Sequence, residues 1–363
     1  MSRAHSSAAA ASANRGDAAF NLLDGSPGCS AAPGADISFV CCVESGGLEA
    51  QAVRMVASLR RFGGAYKNAP VFAVTPRRGP ALSVATRASF DALAVTHLPV
   101  RPGTRYTWFN FLNKPLALVA AQPHIATPIA AWLDSDLLFT GEPSALGLAA
   151  DEDFLAFPVE CKEMGTTGPG DPYESFWQAC GQASGVDVNA LPWVTAAETA
   201  ERVRLYFNGG VFVYRHAGGF AEEYLATCLR LLDARFITDA PGFALGVKEM
   251  ISIGLAAIKL GLRWRALPYT HNYVMSGGTH RHWYRRENLA AARIVHYHDS
   301  MWPPFWPTFL GCLRDTHPEV ADWLAPLGPM SNEAAPAARL VARVLRSLRR
   351  SQSERYHSSC AVV

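Results

Sequence analysis

Two aspartates separated by a single residue, Asp134 and Asp136, follow directly on the apolar run Ile129-Ala130-Ala131-Trp132-Leu133. A strand ending in two carboxylates at the rim of an open α/β sheet delivers both to the crevice where such sheets bind ligands. Oxygen ligands so placed suit a hard divalent cation, Mn²⁺ or Mg²⁺, which keeps positions open for substrate phosphate oxygens. Buried without a partner, the two charges would be costly, so a cation is their natural companion. Further along, Phe207-Asn208-Gly209-Gly210 opens a second apolar run, Val211-Phe212-Val213-Tyr214. The paired glycines leave room for a ligand against the backbone, and Asn208 offers hydroxyl groups both a donor and an acceptor. A third segment, Ile294-Val295-His296-Tyr297-His298-Asp299, sets His296 at the end of a short apolar stretch, where its imidazole can complete the metal shell. Each feature also has a plainer reading: a solvated turn, a glycine bulge and a structural histidine.

The elements that must position these residues are legible around them. Ile37 to Val43 is nearly continuous in apolar residues and rich in β-branched and aromatic types, as expected of a strand covered on both faces. After Gly46-Gly47, the residues Leu48, Ala52, Val53, Met55, Val56 and Leu59 recur at mostly three- and four-residue spacing, an amphipathic helix ended by Gly63-Gly64. Pro70 to Thr75 is a second strand, stopped at Pro76. Strand, helix and strand make a βαβ unit with a right-handed crossover, hence a parallel sheet. Leu93 to Val100 adds a third strand and Lys114 to Ala121 a helix. Beyond the acids come strands at Phe154 to Val159 and around Asn208 to Tyr214, and helices over Phe220 to Leu232 and Phe243 to Leu260. The expected architecture is one α/β unit, a mostly parallel central sheet flanked by helices, without internal repeats.

The chain of 363 residues carries Lys+Arg 33 against Asp+Glu 31, a net charge of +2, with 49% hydrophobic and 18% charged residues. That balance excludes a disordered or collagen-like chain. No apolar run is long enough for a membrane span, and no basic belt crosses the fold to suggest nucleic-acid binding. The eight cysteines include no CxxC pair, and the adjacent Cys41 and Cys42 point to opposite faces of their strand. Free thiols and a cytoplasmic location, with association at a membrane surface open, are the expectation. Residues 1–35, rich in Ala, Ser and Gly, read as a disordered leader with a faint transit-peptide character. Residues 331–363 read as a basic amphipathic tail: Leu340, Val341, Val344, Leu345 and Leu348 form a stripe, with Arg339, Arg343, Arg346, Arg349 and Arg350 around it. Residues 334–363 hold six Arg and one Glu, a local charge of +5 that leaves −3 for the remainder. Such a helix can lie on an anionic membrane through residues 337–355, or close its own domain with a solvated arginine face.

Taken in order, WLDSDLLF, YFNGGVFVY and IVHYHDSMWP resemble the signature segments of GT-A-fold glycosyltransferases that use nucleotide sugars, in particular the glycogenin-like family eight and its relatives. The resemblance implies the GT-A fold, a Rossmann-like nucleotide-diphospho-sugar transferase architecture, over residues 36–330. It implies that Asp134 and Asp136 bind Mn²⁺, with Asp134 also near the nucleotide ribose, and that His296 is the late metal ligand. Asn208, Gly209 and Gly210 would line the donor-sugar and acceptor site. Lys114 stands where relatives carry a basic residue near the donor, and Glu249 where they carry a sugar-contacting acid, although Met250 replaces the Gln that follows it there. The chain also departs from the pattern after the histidine: His298-Asp299-Ser300-Met301-Trp302-Pro303 lacks the lysine that holds the diphosphate in relatives. Lys114, Arg105, Arg281 or Arg285 would have to take that role.

The implied reaction moves a sugar from a nucleoside diphosphate sugar, expected to be a UDP-sugar, to a hydroxyl of a glycan, lipid or protein acceptor. Flat faces of Trp302, Trp306 or Tyr273 would suit sugar C–H surfaces. An inverting reaction needs a carboxylate base, Glu249 or Asp299, whereas a retaining one does not. Two other classes share parts of the pattern. LDSDLLFT is also similar to the DxD strand end of haloacid-dehalogenase-type phosphatases, but that motif opens its domain and has Thr or Val where Leu138 stands. A non-catalytic sugar-binding relative with a degenerate site is the other. The chain has no phosphate-loop, HExxH or GxSxG motif.

Overall fold

The computed structural model describes Gly34 and residues 36–363 except 102, 240, 279–280 and 332–335, together with the backbone but not the side chains of 241–244. The chain divides into Met1–Ser30 and Ala31–Val363. The first unit, and with it the leader expected over residues 1–35 apart from Gly34, lies outside the described residues.

The first half alternates strand and helix. Strand β1 (Ile37–Cys42) leads through α1 (Gly47–Phe62) to β2 (Val71–Thr75), and α2 (Val84–Ala92) leads to β3 (Val95–Pro99). Glu49 in the first turn of α1 accepts the Gly46 N–H at 3.0 Å and the Ser83 N–H at 2.7 Å, so one carboxylate starts α1 and fixes the chain entering α2. Helix α3 (Asn113–Ala121) precedes β4 (Ile129–Leu133), and β5 (Leu137–Phe139) begins three residues beyond it. Next come β6 (Phe154–Pro158), α4 (Glu174–Ser184), the hairpin of β7 (Trp193–Thr195) and β8 (Arg202–Arg204), and β9 (Phe207–Arg215). Helix α5 (Phe220–Asp233), β10 (Phe236–Ile237), α6 (Pro241–Lys259), β11 (Trp264–Ala266) and β12 (Tyr273–Val274) follow. The chain then runs through α7 (Arg286–Ala291), β13 (Ile294–His296), α8 (Trp306–Thr316), α9 (Pro318–Leu324), α10 (Pro336–His357) and β14 (Ala361–Val362).

The central sheet has seven strands in the order β11-β6-β9-β4-β1-β2-β3. Every neighbouring pair is parallel except those made by β9, which runs antiparallel to β4 and β6. The sheet is mostly parallel, as expected, with one reversed strand wedged near its middle. Its two faces are buried by different cores. Val40, Val74, Trp132 and Phe212 face one core with α3, α5 and α6, while Phe39, Cys41, Ala73 and Leu133 face the other with α1. Adjacent residues of β1 divide between the cores, as the two-residue repeat of a strand requires. Under β9 the rings of Phe154 and Phe220 lie 4.7 Å apart, part of an aromatic layer whose members each contribute about 1.5–3 kcal/mol by burial.

A second, three-stranded sheet, β12-β13-β5, joins distant segments. Strand β13 runs antiparallel to β5 with His296 opposite Leu137, and parallel to β12 with His296 beside Val274. The seven cysteines among the described residues are free thiols.

Candidate active site

The site forms where β4 ends against β9. The Asp134 N–H donates to the Gly210 carbonyl at 2.9 Å, which continues the β4–β9 ladder one step past Leu133. The chain then turns and re-enters structure as β5. Because β5 pairs with β13, the segment just before β5 and the segment just after β13 must lie together; the Tyr297 N–H donates to the Asp136 carbonyl at 3.1 Å. Asp136 thus meets two imidazoles: His296 Nε2 is 3.4 Å from Oδ1 and His298 Nδ1 is 3.9 Å from Oδ2. One ligand-type atom from each of Asp136, His296 and His298 falls within 4.8 Å of the others. Burial works against the Asp136 charge, but His296 and then His298 override it and hold the carboxyl well below its ordinary range. His296, also buried, is raised by the same partnership with Asp136.

Asp134 belongs to a different cluster. Its Oδ1 accepts the Trp132 indole N–H at 2.7 Å and lies 3.3 Å from Lys114 Nζ. The ammonium also donates to the Gly209 carbonyl at 2.9 Å and lies 3.5 Å from Glu249 Oε1, which accepts from the Tyr224 hydroxyl. Burial opposes the Lys114 charge, yet Asp134 and Glu249 raise its pKa. Burial pushes both carboxyls upward. The acid pair is therefore split by environment: Asp134 faces a buried cation and Asp136 faces two imidazoles.

A chain of hydrogen bonds supports the imidazole. His296 Nδ1 donates to Asn272 Oδ1 at 3.1 Å, and Asn272 Nδ2 donates to Asn208 Oδ1 at 2.9 Å. Asn208 Oδ1 also accepts the Gly210 N–H at 2.8 Å, and its Nδ2 donates to Glu160 Oε2 at 2.9 Å. With the Nδ1 proton engaged by Asn272, Nε2 is the nitrogen turned toward Asp136, the outer support that ligating histidines use. Asn208 is thus committed to the protein. The space beside the paired glycines is likewise filled by the chain. A methyl on Gly209 would sit 2.5 Å from Lys114 Nζ, and one on Gly210 would sit 2.6 Å from His296 Nδ1. The glycines admit two of the protein's own side chains, and that close approach is the physical reason for them here.

Beyond Asp136 and His298 opens a cavity of about 420 Å³, walled by Glu160, Glu163, Ser276, Asp299 and Trp302. Asp299 Oδ1 accepts from the Ser276 hydroxyl at 2.9 Å and the Gly277 N–H at 2.8 Å. Burial, and then the Glu160 charge, push the Glu163 carboxyl up to about 7. Glu163 and His298 both adopt left-handed backbone, with φ of 41° and 48°, a strain that surroundings must hold in place. Of the aromatic residues considered from sequence, Trp302 reaches this cavity. Tyr273 is buried with its hydroxyl accepting the Arg285 N–H at 3.1 Å, and the Trp306 ring lies under Arg54. Of the four cations considered, Lys114 stands beside Asp134. Arg105 pairs with Asp233 at 2.6 Å, and Arg285 donates to the His282 carbonyl at 2.7 Å, while Arg281 is exposed in the turn preceding α7. Glu249 is fully enclosed, whereas Asp299 is on the cavity wall.

Sequence reasoning singled out neither His298 nor Asn272, Glu160 or Glu163 as site residues. For His298 a signal existed, since residues two apart in an extended segment share a face and His296 was already in view. The stacked rings confirm the shared side, with centroids 4.0 Å apart.

The sheet, its single reversed strand and the acids at its mouth frame one crevice at the strand ends. The chain belongs to the family described as the Rhodobacterales glycosyltransferase domain, whose model matches residues 39–240 of the 363. The match takes in the acid pair and the Asn208-Gly209-Gly210 segment of β9 and stops before His296. Membership sets aside the phosphatase reading. Solved structures are similar at low identity. The WbbM bifunctional glycosyltransferase in its apo form is 13% identical with a TM-score of 0.47, covering 79% of this chain and 51% of that one. Mouse xyloside xylosyltransferase 1, apo form, is 14% identical with a TM-score of 0.41, covering 72% and 97%. Galactosyltransferase LgtC in complex with donor and acceptor sugar analogues is 11% identical with a TM-score of 0.41, covering 83% and 99%. The chain spans about half the length of the WbbM chain. No curated protein matches in sequence.

Proposed function

We propose that this glycosyltransferase takes its sugar from a nucleoside diphosphate donor, a UDP-sugar, and passes it to a hydroxyl acceptor with the help of a divalent cation. The observation that carries the reading is the convergence of Asp136, His296 and His298 within 4.8 Å at the mouth of the sheet. One carboxylate oxygen and two imidazole nitrogens are a donor set suited to Mn²⁺, and Mg²⁺ is the oxygen-preferring alternative. A cation held there supplies charge neutralisation for a departing diphosphate. Asp134, tied to Lys114 and Trp132, borders the donor side and faces the ribose, and Lys114 supplies fixed positive charge in place of the lysine missing after the histidine. Gly209 and Gly210 let that ammonium and the His296 ring approach the backbone. Asn272 and Asn208 hold the Nδ1 proton of His296, so that Nε2 is the nitrogen offered to the cation.

The acceptor enters the cavity beside His298. Glu160, Glu163 and Asp299 accept hydrogen bonds from its hydroxyls, and Trp302 offers a flat face to the sugar ring. Holding the hydroxyl against the donor supplies the positioning part of the catalysis. Asp299, on the cavity wall, receives the acceptor proton, and Glu249, enclosed beside Lys114, serves to position the donor side. The test is incubation with Mn²⁺ and a panel of nucleotide sugars, following nucleoside diphosphate release, with Asp136→Ala alongside. Release by the wild-type chain and its loss in the variant are expected. Absence of release from every donor, or release unchanged in the variant, overturns the reading.

A further inference from the structure

Helix α10 presents two exposed bands that the domain does not cover. Leu340, Val341, Val344 and Leu348 are 60%, 47%, 53% and 58% exposed, an unusual density of bare aliphatic side chains. At 100° per residue they share an arc of about 100°, and Arg339, Arg343, Arg346 and Arg350 occupy the adjoining outward arc. The side turned to the domain is different. There Arg349 donates to the Arg78 carbonyl at 2.6 Å, and Tyr356 donates to the Leu232 carbonyl at 2.8 Å and packs 5.0 Å from the Trp108 ring. Strand β14 then pairs with β10 and pins the segment that follows. The last turns of the helix thus pack on the domain, and its first turns carry an uncovered amphipathic surface.

We propose that α10 docks the enzyme on an anionic lipid bilayer, with the aliphatic band entering the headgroup boundary and the arginines reaching lipid phosphates. Charge selects this occupant. The helix has six arginines against one glutamate, so a second copy laid along it would set like charge against like. An anionic surface complements it, and long arginine stems can lie flat while their heads reach phosphate. Positive charge continues onto the domain beneath the last turns, where Arg235 and Arg355 border a cavity of about 250 Å³ beside Trp108.

The test uses the full chain and needs neither donor nor metal, so its outcome is separate from that of the sugar-transfer reading. Co-sedimentation is compared on vesicles of phosphatidylcholine alone and of phosphatidylcholine with phosphatidylglycerol. The wild type is expected to sediment with the anionic vesicles and to be released by high salt. Leu340→Ser/Val344→Ser/Leu348→Ser and Arg339→Gln/Arg343→Gln/Arg346→Gln/Arg350→Gln are each expected to weaken binding about tenfold or more. Circular dichroism and the thermal midpoint should match the wild type, since these side chains touch no part of the site. Equal sedimentation on both vesicles, unchanged binding in both variants, or a dimer in solution that the serine variant dissociates would overturn the proposal.

Discussion

The imidazoles of His296 and His298 stack with centroids 4.0 Å apart and planes 17° apart, and both face Asp136. In the proposed function each ring would ligate only through an unprotonated nitrogen, so a divalent cation and a proton would compete for the same sites. Mn²⁺ binding followed by electron paramagnetic resonance should therefore weaken as pH falls. His298→Ala and Asp136→Asn should each lower the affinity by about a hundredfold, and Asn272→Ala, which removes only the support behind His296, by about tenfold.

Lys114 is the shared cation of two carboxylates, 3.3 Å from the half-buried Asp134 and 3.5 Å from the enclosed Glu249. Lys114→Met strands both, and breaking such a buried arrangement costs about 3–5 kcal/mol. Urea unfolding should show that loss, and donor turnover should fall with it. Adding Glu249→Gln to Lys114→Met should recover part of the stability, because one stranded charge is removed; strict additivity in the cycle would refute the shared contact.

The two glycines differ in what stands against them. Gly210→Ala drives a methyl against the enclosed His296 ring and Asn272 Oδ1, at 2.6 and 2.7 Å, and should cost about 1–3 kcal/mol and abolish Mn²⁺ binding. Gly209→Ala meets the end of the Lys114 side chain at 2.5 Å, which can swing aside. Its stability loss should be smaller, with the defect appearing in donor KM.

His271, the chain neighbour of Asn272, provides a pH test of stability. Burial, helped by the charges of Arg293 and Arg265, lowers its pKa from 6.5 to about 4, and its Nε2 accepts the Ala145 N–H at 3.1 Å. Below the unfolded value the unfolded chain binds the extra proton, so stability is full above pH 6.5 and is lost as pH falls toward 4. The loss amounts to roughly 3 kcal/mol. Urea midpoints at pH 7 and pH 4.5 should drop more steeply in the wild type than in His271→Gln; parallel drops would refute the assignment.

Much of the fold was legible because its signals are local. The continuous apolar runs of β1, β2 and β4, the three- and four-residue spacing of α1 and its glycine stop are properties of neighbouring residues. The direction of β9 was not legible, since a strand buried on both faces reads alike in a parallel or an antiparallel setting. The pairing of β5 with β13, which carries His296 to Asp136, is a contact between distant segments with no periodicity to announce it. Gly209 and Gly210 were visible as a pair, but their occupants, Lys114 and His296, come from other elements. Asn272 sits alone between Thr270-His271 and β12 and gives no local sign of its bond to His296.

Strand β9 has a consequence for biosynthesis. It is the seam between β4 and β6, so until residue 215 has left the ribosome the growing polypeptide carries the β4-β1-β2-β3 sheet with a bare, apolar margin at β4, and a β6 with no partner, since its other neighbour β11 follows later still. Translation that stalls, or a gene fragment that stops, ahead of this seam should yield material that clumps rather than a smaller folded piece.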